Sequence, residues 1–252
     1  MSLYEKAWQA VESRIAEAAR RVGRAPGEVR LLAVSKTFPA EAVRAVHACG
    51  QRAFGENYVQ EAESKRAALA DLADIEWRLI GPLQANKAAV AARVFDAVES
   101  VERLRIAQRL SAARASVLSR PALAVLVQVN ISGEATKHGV ALDDALPLAR
   151  EVARLPALVL RGFMGIAAPD VGVDVQRAQF RALRHCFEAA RADGLRVDTL
   201  SMGMSGDLEA AIAEGATEVR IGSALFGARP AAQGAGAARN GDDSMARSRE
   251  SG

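Results

Sequence analysis

The chain has 252 residues, half of them hydrophobic and a quarter charged, which is globular composition and compatible with one domain if that domain is a barrel. Its net charge of +3 is small, with basic and acidic residues interleaved along helical stretches, so the basic residues read as solvated faces and make no case for a nucleic-acid partner. No apolar run approaches a membrane span, Met1-Ser2-Leu3-Tyr4-Glu5-Lys6 does not read as a signal peptide, and Cys49 and Cys186 lack metal-ligand spacing; a reduced, cytoplasmic chain without metal or membrane is expected.

A helical pattern from about Leu3 to Val22 precedes any strand. Short apolar runs then alternate with longer helical patterns. In order, the runs are Leu31 to Ser35, Ala53 to Gly55, Trp77 to Ile80, Ala97 to Glu99, Ala124 to Val129, Leu158 to Gly162, Thr199 to Ser201 and Glu218 to Ile221. The helices expected between them cover Ala40 to Ala48, Asn57 to Ala70, Gln84 to Arg93, Val101 to Ser116, Leu142 to Arg154, Val175 to Ala192 and Leu208 to Glu214. This alternation implies a parallel sheet with helices outside, and about eight strands in roughly 225 residues is the count of a closed (β/α)8 barrel. A doubly wound open sheet is the other candidate, but the first strand–helix turn, Ser35-Lys36-Thr37-Phe38-Pro39, has none of the glycines of a dinucleotide fingerprint. The predicted fold class is therefore α/β, a single barrel over residues 1–229 with an extra N-terminal helix. From Pro230 to Gly252 apolar periodicity is lacking, and disorder is expected there.

In such a barrel the active site lies where the strands end and their loops begin. Lys36 stands at the end of the first strand, in line with Leu32 and Val34 on an apolar face. A lysine at an apolar rim loses solvation for its charged form, and a neutral amine attacks carbonyls. Equally, its stem could line the strand end while its head reaches water. The seventh turn, Ser201-Met202-Gly203-Met204-Ser205-Gly206-Asp207, and the eighth, Arg220-Ile221-Gly222-Ser223, sit where barrels often bind phosphate. Gly203 and Gly222 let backbone approach an anion, Ser201 and Ser223 can donate hydroxyl bonds, and Ser223 opens a short stretch whose first N–H groups would point outward. Ordinary turn and cap roles are the alternative, and Ser205 is expected to cap the helix that follows. A phosphate site beside a carbonyl-seeking lysine suggests pyridoxal 5'-phosphate, with Arg220 placed under the ring.

The strings LLAVSKTFP, FGENYVQE, EWRLIGPLQANK, SMGMSGDLEAAI and TEVRIGSALFGAR resemble, closely and in order, the pyridoxal-phosphate homeostasis family, the YggS/PROSC-like proteins. The match runs from the first helix to about Arg229. That family resembles the N-terminal barrel of alanine racemases, the fold-type III pyridoxal-phosphate enzymes. The resemblance implies that Lys36 is the Schiff-base lysine and that Arg220 faces the pyridine nitrogen. It further implies that Ser201, Gly222 and Ser223 hold the phosphate, that Gly203 and Met204 line it, and that Asn57 lies beside the cofactor. It leans to a monomer and to pyridoxal-phosphate-dependent apoenzymes as partners.

Arginine can only donate, so a pyridine nitrogen facing Arg220 stays unprotonated and is a weak electron sink. A racemase also needs a base opposite the lysine, which alanine racemases take from a further β-domain. That domain is not expected in this chain, and Tyr4 and Tyr58 are not obvious substitutes. A carrier that buffers and delivers the cofactor is the favoured function, with a small enzyme such as an amino-acid racemase as the alternative. A cofactor-free Schiff-base aldolase is a third reading. Lys87 and Lys137 share the barrel face with Lys36 and are its competitors.

Overall fold

The computed structural model describes residues 2–134, 136–169 and 171–228. The expected tail after Pro230 lies outside the described residues. Eight parallel strands close into a barrel in chain order: β1 (Arg30–Val34), β2 (Ala53–Glu56), β3 (Glu76–Leu79), β4 (Ala97–Val101), β5 (Leu123–Val129), β6 (Leu158–Gly165), β7 (Thr199–Ser201) and β8 (Glu218–Ile221). Around them run α1 (Leu3–Arg21), α2 (Ala40–His47), α3 (Val59–Ala68), α4 (Ala88–Val94), α5 (Leu104–Ala115), α6 (Leu142–Ala153), α7 (Val173–Ala192), α8 (Leu208–Ala213) and the short α9 (Ser223–Phe226). The closed (β/α)8 barrel predicted from the alternation is the fold found, and the open sheet is excluded.

The extra helix α1 starts at a capping box, in which the Glu5 N–H donates to the Ser2 hydroxyl and the Ser2 N–H to the Glu5 carboxylate. It buries Val11, Ile15, Ala18 and Ala19 and packs on α8 and α9. Arg14 pins it there, reaching both Glu209 carboxylate oxygens and the Ser205 carbonyl. Strand alternation divides the interior into two layers. β1 sends Leu31 and Ala33 into the apolar layer shared with the helices, while Leu32 and Val34 point into the barrel beside Gly55 and Gly222.

The barrel interior is not uniformly apolar. Arg78 on β3 donates to Glu218 on β8 at 2.7 and 2.9 Å, to Glu99 on β4 at 3.3 Å and to Glu76 at 2.8 Å. Burial works against the Arg78 charge, and Glu218, Glu99 and Glu76 more than offset it. Glu218 itself is pushed up to about 8, by burial first and then by the neighbouring Glu99.

Among the described residues no helix is long and apolar enough to cross a membrane, and no cluster of His, Cys, Asp and Glu is arranged to hold a metal ion.

Candidate functional site

A cavity of about 560 Å3 opens at the C-terminal ends of the strands, where the barrel rule places it. Lys36, Asn57, Met204, Arg220, Gly222 and Ser223 all line it, so the first, second, seventh and eighth strand ends meet in one space. Val34, Phe38, Ile80, Ile166 and Ala167 supply apolar walls, and Gln128, Asn130, Thr136, Lys137 and His138 supply polar ones.

Lys36 reaches the cavity by a route that differs from simple alternation. β1 ends at Val34, and Ser35 to Phe38 form a turn closed by the Phe38 N–H donating to the Ser35 carbonyl. Thr37, the third residue of that turn, has φ of 69°, a conformation usually left to glycine. Of the competitors, Lys137 lines the cavity, whereas Lys87 ends a 3-10 turn (Ala85–Lys87) and does not.

Arg220 forms part of the cavity lining, although only 4% of its surface is exposed. Its Nη1 donates to the Ser201 hydroxyl at 2.8 Å and its Nη2 to the Gly165 carbonyl at 2.9 Å. Burial lowers its pKa, opposed by Glu99, Glu218 and Asp207. Arginine's affinity for its proton is so high that the side chain remains a cation and a donor.

Two residues expected at the phosphate, Ser201 and Gly203, are not among those lining the cavity. The Ser201 hydroxyl is fully buried, accepts from Arg220 and donates to Glu99 at 2.7 Å, so it belongs to the barrel interior and not to the cavity lining. Gly203 also stays off the cavity. It has φ of 94°, and a Cβ there would lie 2.6 Å from the Ala211 Cβ, so glycine is needed for α8 to pack. Its carbonyl accepts from the Arg220 N–H. Ser205 does not cap α8: Asp207 is the N-cap, and the Ser205 side of the turn faces the cavity. Gly222 and Ser223 open α9, and no side chain caps its start.

Reading the sequence missed Gly81, where a Cβ would sit 2.3 Å from the Asn57 carbonyl oxygen. The close approach of the β3 and β2 ends depends on that glycine. It also missed Lys65, which is buried behind the Lys36 turn. The signal was present, since Val59, Ala62 and Lys65 recur at helical spacing on the buried face of α3.

Residues 8–230 match the family model described as "Alanine racemase, N-terminal domain". A pyridoxal phosphate homeostasis protein of Pseudomonas aeruginosa is 56% identical over 219 residues, covering 87% of this chain and 93% of that protein. This chain belongs to the pyridoxal phosphate homeostasis protein family. The Escherichia coli K12 family member is 48% identical over 221 residues, covering 87% of this chain and 94% of that protein. The structure of PipY from Synechococcus elongatus with PLP bound superposes with a TM-score of 0.73 at 39% identity, covering 84% of this chain and all of that one. An alanine racemase of Clostridium difficile, at 14% identity and a TM-score of 0.67, covers 88% of this chain and 57% of its own, and shares the fold alone. The family resemblance read from the five motifs is thereby established.

Proposed function

We propose that this family member binds pyridoxal 5'-phosphate in the barrel-top cavity through Lys36 and serves as a carrier in the homeostasis of that cofactor. The observation that carries the reading is the meeting of Lys36, Arg220 and the Gly222–Ser223 turn in one cavity of about 560 Å3, the size range of a cofactor site. The residues fit the group. Lys36 supplies a primary amine, Arg220 a fixed donor for a ring nitrogen, and Gly222, Ser223 and Met204 surround the position for a phosphate, with Asn57 alongside. When bound, the group supplies an aldehyde that condenses with a primary amine, the amine hydrogens and aldehyde oxygen leaving as water as a C=N bond forms. Ser201 and Gly203 act one layer below, Ser201 by orienting Arg220 and Gly203 by holding the strand that bears it.

The carrier reading also rests on Arg220. A cation that only donates keeps a ring nitrogen unprotonated and so weakens any carbanion chemistry. Neither Tyr4 nor Tyr58 lines the cavity; Tyr58 is 61% exposed, and Tyr4 packs edge-on against Phe226. A racemase-like activity is the second reading, favoured by Lys137 and His138, which are basic groups on the same cavity. We further propose a cytoplasmic monomer that hands the cofactor to apoenzymes dependent on it.

Borohydride reduction followed by peptide mapping should place the adduct on the Ser35–Phe38 peptide. An adduct mainly on Lys137 would overturn the assignment. Deuterium exchange at the α-carbon of several amino acids should be negligible in the presence of the loaded protein, and enzyme-like exchange would promote the racemase reading.

A further inference from the structure

The turn that carries Lys36 is gripped from behind by a buried ionic cluster. Lys65 on α3, 5% exposed, donates at 2.7 Å each to the Ser35 carbonyl, to Glu56 Oε1 and to Glu61 Oε1. The Ser35 hydroxyl donates to the same Glu56 oxygen at 2.6 Å, and the Thr37 N–H donates to Glu61 Oε1 at 2.6 Å. The residues immediately before and after Lys36 are thus tied to one set of three ionic side chains, none of which lines the cavity.

This is an expensive way to fill space. Glu56 is fully buried and its Oε2 has no hydrogen-bond partner. Burial pushes its carboxyl up, with Lys65 and Ser35 opposing. A buried ion pair is generally no more stabilising than apolar packing of the same volume, so stability alone does not account for it. Thr37 adds a second cost, because a left-handed non-glycine conformation persists only where the surroundings over-determine it. Both costs bear on the backbone flanking Lys36, Thr37 directly and Glu56 through the Ser35 hydroxyl and Lys65.

We infer that Lys65, with Glu56 and Glu61, is a positioning set for Lys36. It fixes the Ser35–Thr37 backbone so that the Lys36 side chain projects into the cavity at a constant angle. The inference rests on the proposed role of Lys36 and adds the device that aims it. The α3 lysine touches no reacting atom.

The test uses the full chain with added pyridoxal 5'-phosphate. It follows the rate of borohydride-trappable adduct on the Ser35–Phe38 peptide and the circular dichroism induced in the cofactor absorption band. Lys65→Met keeps the volume and removes the three donors. It should slow adduct formation by about tenfold or more, the scale of effect that misplacing a reacting group produces, and it should shrink the induced signal. Lys65→Arg should recover part of both, as merely filling the space would not. A folded Lys65→Met protein with the wild-type rate and signal would overturn the inference. If Lys65→Met does not fold, Glu61→Ala decides, because it removes the Thr37 partner at a site where the side chain is 24% exposed. Slowing of several-fold supports the inference and an unchanged rate overturns it. A wild-type protein that forms no adduct at Lys36 would instead sink the site reading itself, together with this extension of it.

Discussion

Arg220 is held by two acceptors, the Ser201 hydroxyl and the Gly165 carbonyl, before any ligand is considered. Arg220→Ala would leave those groups and a bound ring nitrogen without their donor. It should weaken retention of pyridoxal 5'-phosphate by about 1–3 kcal/mol, the cost of an unpaired buried polar group. Equilibrium dialysis measures this, and unchanged affinity would place the ring nitrogen against some other group. The strand-end rule picked out Lys36, Met204, Arg220, Gly222 and Ser223, and the family resemblance added Asn57; all six line the one cavity, because a barrel collects whatever follows its strands. Ser201 does not line the cavity, since a strand's last inward residue can belong to the interior layer as well as to the cavity. At Gly203 the rule misread the demand for glycine, which comes from Ala211 on α8. Lys65 escaped because a lysine in a helix reads by default as solvated, and only its phase with Val59 and Ala62 says otherwise.

Among the elements, the order and type of all eight strands were legible, while several boundaries were not. The helix expected from Val101 begins at Leu104, because Val101 is still paired with Val127 in the sheet. The helix expected from Gln84 starts with a 3-10 turn and becomes α-helical only at Ala88. The sixth strand was expected to stop at Gly162 but runs on to Gly165. Its register against β5 shifts there, Val125 pairing with Leu160 and Leu126 with Gly162, so Arg161 is the extra residue of a bulge. Gly162 has φ of 149°, and a Cβ on it would lie 1.8 Å from the Thr199 carbonyl oxygen. Glycine inside a strand marks a close backbone approach as readily as a strand end. Gly162→Ala should therefore destabilise the fold by about 3 kcal/mol through overpacking between β6 and β7. Urea unfolding would register this, and an unshifted midpoint would mean that the two strands can reseat.

Across the whole molecule, a polar chain runs down the barrel interior from Arg220 through Ser201, Glu99 and Arg78 to Glu218. Glu218 also borders a second opening, beside Arg30, Arg161 and Thr217. With its folded-state pKa raised from 4.5 to about 8, the native protein holds a proton that the unfolded chain has released. Stability from this group should therefore decline as pH rises through that window and level off above it. Glu218→Gln should flatten the decline in a series of urea titrations across the window, and an undiminished slope would assign it to another group. The closure that creates this interior also sets a schedule. β1 pairs with β8, Leu32 lying opposite Arg220, so of the two groups proposed to grip the cofactor one follows the first strand and the other lies on the last. Contacts of that sequence separation form late. On the ribosome, Lys36 emerges early and has no Arg220 beside it until nearly the whole barrel has been synthesised. On the proposed site, a fragment ending before Glu218 would contain the amine and most of the barrel's mass but not Arg220, Gly222 or Ser223, so binding competence would arrive with the closing strand.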